Sequence, residues 1–244
     1  MASAASAWPA FAVRASARQA ESAAATTTQP SADDLYKNRE DMASAKRARD
    51  IWLTQADGKN FEAAWKLSRV YYWLGMYGPE GERRASLDQG VKFGEAAARI
   101  EPSKPEGHFW GAASMGRLAE SFGLVQGLKY RGRVRDALRR VLAIDPGWQE
   151  GSADRALGWW YFRVPGLFGG SRSKAVEHIK KSLSYDAQNT LSLLFLAEVV
   201  IAEGRKDEGR KLLQQILDAP LDPDWAPEDR INKQKATERL KTLK

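Results

Sequence analysis

Two turns of the same kind, Ile100-Glu101-Pro102 and Ile144-Asp145-Pro146, each end a stretch of alanine and leucine at helical spacing, and the related Tyr185-Asp186-Ala187 ends a third. The closing residues lie 44 and then 41 residues apart. Repetition at a period of about 40 residues marks a helical solenoid, because one helix pair cannot bury its apolar face alone and must stack on its neighbours. With Pro102, Pro146 and Ala187 in register, Gly90, Gly94 and Ala97 fall opposite Val134, Leu138 and Val141, and opposite Ala175, Ile179 and Ser182. Small and apolar residues therefore coincide along the second helix of each pair.

Between Gly58 and Gly78, Phe61, Ala64, Trp65, Leu67, Ser68, Tyr71, Tyr72 and Gly75 recur at three- and four-residue steps, which predicts an amphipathic first helix. A bulky and aromatic first helix, a small-residue second helix and a closing proline resemble the tetratricopeptide pattern, whose plain repeat is about 34 residues. The two longer spacings place their excess inside the pair, as extended connections at Met76–Gly81, Ser121–Gly127 and Val164–Gly170 along one edge. The fourth unit, with Leu196, Ala197, Val200, Gly204, Gly209, Leu213 and Ile216, runs 34 residues from Ala187 to Leu221 and has the plain length. The expected fold is all-α, a helical-hairpin solenoid of tetratricopeptide-like repeats with extended inter-helix loops over residues 35–244. A helix from Leu35 to Ala56 starts the stack. A capping helix from Pro227 to Leu243 ends it, with proline in its first turn and Glu228 and Asp229 where the helix dipole favours acids.

Residues 1–34 are rich in Ala, Ser and Thr without apolar periodicity and are expected to be disordered. Their stretch from Ala4 to Ala17 reads either as the end of a truncated secretory signal or as a low-complexity tail. No segment approaches the ~18 apolar residues of a membrane span. The absence of cysteine rules out disulfides, thiolate metal sites and a cysteine nucleophile. The charge of +7, from 38 basic and 31 acidic residues, favours acidic partners, but the signs are interspersed and do not form a nucleic-acid footprint. Nine tryptophans must sit in helix interfaces or line a groove.

The stretch Asp154-Arg155-Ala156-Leu157-Gly158-Trp159-Trp160-Tyr161, the connection Pro165-Gly166-Leu167-Phe168-Gly169-Gly170-Ser171 with Lys174-Ala175, the helix around Leu196-Ala197-Glu198 and the final helix through Ala236 and Leu240 resemble the T component of tripartite ATP-independent periplasmic (TRAP) transporters. The resemblance covers roughly residues 60 to 243. It implies a periplasmic, non-enzymatic scaffold that partners a solute-binding protein or a small organic ligand. A more distant likeness is to the regulator of microtubule dynamics proteins, another helical-repeat group.

Enzyme signatures are nearly absent, and no cofactor or metal is expected. The two histidines, His108 and His178, lie 70 residues apart in different repeats and read as structural or surface residues. Gly169-Gly170-Ser171-Arg172-Ser173-Lys174 opens a helix, either as an anion cradle or as a glycine turn in which Ser171 or Ser173 caps the helix and Glu177 reaches back. Arg131, Arg135 and Arg139 share one face opposite Val134, Leu138, Val141 and Leu142, and read as a solvated face or a contact for an acidic protein partner. Arg155 occupies a packing position and calls for Glu150, Asp154 or a backbone carbonyl.

The first helix of each pair lines the concave surface of such a superhelix. That placement assigns Trp65, Arg69, Tyr72, Trp73, Phe109, Arg117, Trp160, Tyr161, Leu194 and Glu198 to a groove for an extended peptide or an organic acid, with Arg69 or Arg117 pairing a carboxylate. Pro165, Gly166, Gly169, Gly170 and Ser171 form a second contact in the loop edge. The competing account is that these aromatics only pack helix on helix. Two functions remain open: an exported TRAP T-component-like scaffold, and a cytosolic tetratricopeptide adaptor for a peptide or protein partner. Self-association through the solenoid ends is compatible with either.

Overall fold

A computed structural model describes residues 29–243. Among these residues there are eleven α-helices, one short 3-10 turn and no strand. Helices α1 (Ala32–Lys37) and α2 (Met42–Gln55) precede four hairpins. These are α3 (Phe61–Tyr77) with α4 (Glu80–Ile100), α5 (Pro105–Ser121) with α6 (Leu124–Ile144), α7 (Trp148–Arg163) with α8 (Arg172–Leu183), and α9 (Thr190–Ala202) with α10 (Lys206–Asp218). Helix α11 (Ala226–Thr242) follows. Each helix packs on the next, and the first helices also touch one another in the order α3, α5, α7, α9, so they form one continuous face of the stack. The chain is thus an all-helical hairpin solenoid.

Local chemistry sets the helix starts. Asp41 accepts from the amides of Ala43 and Ser44, Asn60 from Ala63 and Asn189 from Ser192, each cap contributing about 1 kcal/mol. Pro105 and Pro227 stand in first turns, where a missing N–H costs nothing. The residues aligned by the repeat are all buried: Gly90, Gly94 and Ala97 on α4, Val134, Leu138 and Val141 on α6, Ala175, Ile179 and Ser182 on α8. Glycine at 94 is required by close approach, since a Cβ there would lie 2.5 Å from the Cα of Gly111. The adjoining Ser68 hydroxyl donates to the Gly90 carbonyl at 2.7 Å, tying α3 to α4 where no side chain fits.

The extra repeat length lies elsewhere than the sequence suggests. Only Gly78 and Pro79 separate α3 from α4, and only Phe122 and Gly123 separate α5 from α6; α4 and α6 are instead 21 residues long, against 12 for α8 and 13 for α10. Gly81 and Gly127 have ample space around their Cα atoms and are carried inside first turns, so their presence does not stop the helix. Just one extended connection exists among the three, Val164–Ser171, which holds the 3-10 turn Gly166–Phe168.

The start also differs. The expected single helix from Leu35 to Ala56 is two helices, broken after Lys37 by a turn at Asn38–Asp41. Helix α1 begins at Ala32, so the ordered fold reaches into the stretch expected to be disordered; the rest of that expectation, and the signal-like stretch, lie outside the described residues.

Candidate functional site

Helices α1 and α11, from opposite ends of the chain, close on each other over the face formed by the first helices. Arg39, 2 % exposed, donates from Nε to Glu228 Oε1 at 3.0 Å and from its terminal nitrogen to the other carboxylate oxygen. It also donates to the carbonyls of Tyr36 at 3.3 Å and Asp224 at 3.0 Å, so its fork is satisfied on four sides. Arg230 donates to Glu40 at 2.5 Å beside it. Ile231 packs against the cluster of Leu35, Tyr36, Trp52 and Trp73. Farther along α11, Arg239 grips Glu198 of α9 with two hydrogen bonds of 2.9 and 3.2 Å. The approach to α11 is fixed by a buried chain in which Asn232 donates to Thr190, Thr190 to Asp229, and the Asp222 amide to Asp229.

Beneath this closure lies a cation–aromatic layer. The Tyr36 ring is sandwiched by the guanidinium groups of Arg69 at 4.1 Å and Arg39 at 4.9 Å, and Arg69 also covers Trp65 at 4.8 Å. Trp73 lies 5.3 Å below Arg39 and 4.3 Å from Tyr77. Burial dominates the electrostatics: it pushes the phenols of Tyr36 and Tyr72 up to about 12 and raises the Glu228 carboxyl against the opposing pull of Arg39. Burial, followed by the charge of Arg117, lowers Lys235 on α11. Four buried donors in this region have no hydrogen-bond partner: the indole nitrogens of Trp65, Trp73 and Trp110, and Arg69 Nε.

Of the residues placed in the groove from sequence, the structure gathers Trp65, Arg69, Tyr72 and Trp73 under α1 and α11. Arg117 stands by, paired with Glu120 at 3.5 Å, and Glu198 is taken by Arg239. The others are in helix interfaces. Phe109 meets Trp110 and Trp148 edge-on at 5.2 and 5.0 Å, Trp160 donates to the Arg131 carbonyl at 2.9 Å, and Tyr161 stacks on His178 of α8 at 5.3 Å. Leu194 is buried as well. The groove drawn from the repeat positions is therefore covered at one end and packed solid along its middle. Tyr36, Arg39, Tyr77 and Glu228 join the site without any sequence signal, since Arg39 and Glu228 are 189 residues apart.

The remaining candidates resolve individually. Gly170 is irreplaceable in its turn, because a Cβ would meet the Val164 carbonyl oxygen at 1.6 Å, and Gly169 has φ 99°. Pro165 and Gly166 carry the 3-10 turn, and Ser171 ends it by donating its amide to Tyr161 and accepting from Lys174. Its hydroxyl thus serves as a helix cap. His178 has a partner the sequence did not point to: Asp154, 4 % exposed, at 2.6 Å. Arg155 correspondingly turns to Asn189 Oδ1 at 3.3 Å rather than to Asp154, and its pKa is pushed down to about 10 by burial, with Glu150 opposing. The expected arginine face is partly engaged, Arg131 over Phe168, Arg135 with Asp136 and Arg139 with Tyr161. No cluster of three or more metal-ligating side chains occurs among the described residues.

Comparison with known proteins places this geometry. A thermophilic TPR protein of Thermus thermophilus superposes with a TM-score of 0.64 at 18 % identity, over 86 % of this chain and 95 % of the other, which establishes the tetratricopeptide-like fold. "Regulator of microtubule dynamics protein 1" of Caenorhabditis elegans is 23 % identical over 208 residues, 77 % of this chain and 88 % of the worm protein. These matches do not support the likeness to the TRAP T component or, with it, the periplasmic solute-binding partner. The family model that matches, over residues 29–168, is that of regulator of microtubule dynamics protein 1-3, and the chain belongs to this family.

Proposed function

We propose that the protein is a non-enzymatic adaptor of the cytoplasm that takes a helical or extended segment of a protein partner on the face lined by its first helices. The observation that carries this reading is that the face already holds a helix, α11, by a charge clamp at each end, Arg39 with Glu228 and Arg239 with Glu198. Helix-in-groove recognition uses just these parts, an apolar strip with charged anchors. A partner segment bearing carboxylates would replace Glu228 at Arg39 and bring acceptors to Arg69 Nε and the indoles of Trp65 and Trp73, donors that have none among the described residues. An acidic partner also suits the net charge of +7.

Panning a random-peptide library on the full chain tests it. Enrichment of acidic sequences on the wild type, lost on Arg69→Glu and increased on Glu228→Gln, is expected. Enrichment indifferent to both substitutions would remove the groove from the account. The nematode relative carries microtubule dynamics in its name, so polymerised tubulin is the first whole partner to try, by co-sedimentation with the same two variants.

A further inference from the structure

The first three of the four hairpin connections differ sharply. The first, around Gly78 and Pro79, is followed by Glu80 and Glu82 and carries no large exposed apolar side chain. The second and third carry five: Leu124 and Val125, each 76 % exposed, Leu128, Leu167 at 91 %, and Phe168. They form one surface. Leu124, Leu128 and Arg131 stand at i, i+4 and i+7 on α6, and Arg131 covers the Phe168 ring at 4.7 Å.

The charge of this surface is mostly positive, with Glu120 answering Arg163, Glu95 answering Arg133 and Asp136 answering Arg135. Residues 121–135 hold Lys129, Arg131, Arg133 and Arg135, and residues 156–176 hold Arg163, Arg172 and Lys174, with no Asp or Glu in either stretch. Among the described residues no carboxylate pairs with Lys129, Arg131, Arg172 or Lys174. The positive ends of α6 and α8 lie at the same edge and add to the field. The apolar side chains project from helix starts and a turn; two clefts of this protein lie elsewhere, one between α4, α5 and α6 beside His108 and one between α9, α10 and the α8–α9 connection at Ala187 and Gln188.

We infer that this edge is a docking surface for a membrane bearing anionic phospholipids. Projecting leucines enter the boundary between headgroups and acyl chains, which accepts any convex shape, whereas a protein partner would need a matching cavity for each tip. The unpaired cations supply attraction to the anionic headgroups, strongest near the surface and screened by salt. No helix among the described residues is long and apolar enough to span the bilayer. Docking by the loop edge leaves the face under α1 and α11 to the partner, so the two readings stand or fall separately.

The test is flotation of the full chain with vesicles of phosphatidylcholine alone or mixed in equal parts with phosphatidylserine. The wild type floats with the mixed vesicles, less so in high salt. Leu124→Asp/Leu167→Asp weakens binding about 100-fold, and Val125→Ser/Leu128→Ser, a second route to the same loss, guards against misfolding of the first. Leu221→Asp, an exposed leucine elsewhere, leaves binding unchanged. Absence of wild-type flotation on the anionic vesicles, equal flotation of the double variants, or an equal loss for Leu221→Asp each overturns the inference, as does capture of an acidic amphipathic peptide at this edge without any vesicle binding.

Discussion

The concave face and the loop edge use the same residue types in opposite ways. On the concave face Arg39, Arg69 and Arg239 are stacked on rings or locked to carboxylates, and the aromatics beside them are covered. At the loop edge leucines are bare and, among the described residues, no carboxylate pairs with Lys129, Arg172 or Lys174. Charge that is matched and dried contributes to holding one arrangement of the ends. Charge left wet contributes little to folding and remains available to something outside the chain.

Reversing charge at the closure should produce the largest effect. Glu228→Arg sets two buried guanidinium groups against each other and should cost about 3 to 5 kcal/mol in urea denaturation, while Arg39→Glu/Glu228→Arg should recover part of it in a double-mutant cycle. No coupling between the two positions would mean that the ends are not energetically joined. Next comes Arg155, half-buried, with the Asn189 amide oxygen as its hydrogen-bond partner and the charge of Glu150 opposing its desolvation. Arg155→Leu should be tolerated better than Arg155→Ala by about 1 to 2 kcal/mol, because Leu keeps the volume and removes the desolvated charge; the reverse order would show that the Asn189 contact outweighs both.

A smaller effect is readable from pH. The phenols of Tyr36 and Tyr72 are raised by burial from 10.0 to about 12, so the folded state holds these protons more tightly than the unfolded chain does. Their contribution to stability is complete below pH 10 and is lost as pH rises through about 12. Tyr36→Phe should flatten that part of the alkaline stability profile, and an unchanged slope would place Tyr36 in water. Smallest of all, Leu124→Ser and Leu167→Ser should shift stability by no more than about 0.5 kcal/mol, since both side chains are exposed already. A large loss at either position would turn the loop edge into part of the core and abolish its contrast with the concave face.

How much of this was legible in the residues follows from the range of each interaction. The second helices were aligned correctly from Gly90, Val134 and Ala175 onward because helical periodicity and neighbour packing repeat within one unit. The connections at Met76–Gly81 and Ser121–Gly127 are shorter than the repeat spacing predicts, since a glycine such as Gly81 or Gly127 weakens a helix by only about 1 kcal/mol and flanking turns carry it. The candidate groove was half legible. Trp65, Arg69, Tyr72 and Trp73 stand on α3 at helical spacing and could be grouped, whereas Phe109, Trp160 and Tyr161 have the same periodicity but face into helix interfaces.

The sequence by itself determined the solenoid and its four hairpins, because those rest on contacts between residues close in the chain. Only the tertiary structure decided that the first and last helices meet, that Arg39 finds Glu228, and that Asp154 takes His178 and leaves Arg155 to Asn189. Helix α11 makes the link, paired with α9 through Arg239 and with the turn after α1 through Glu228, and a contact between positions 189 residues apart has no local pattern to announce it.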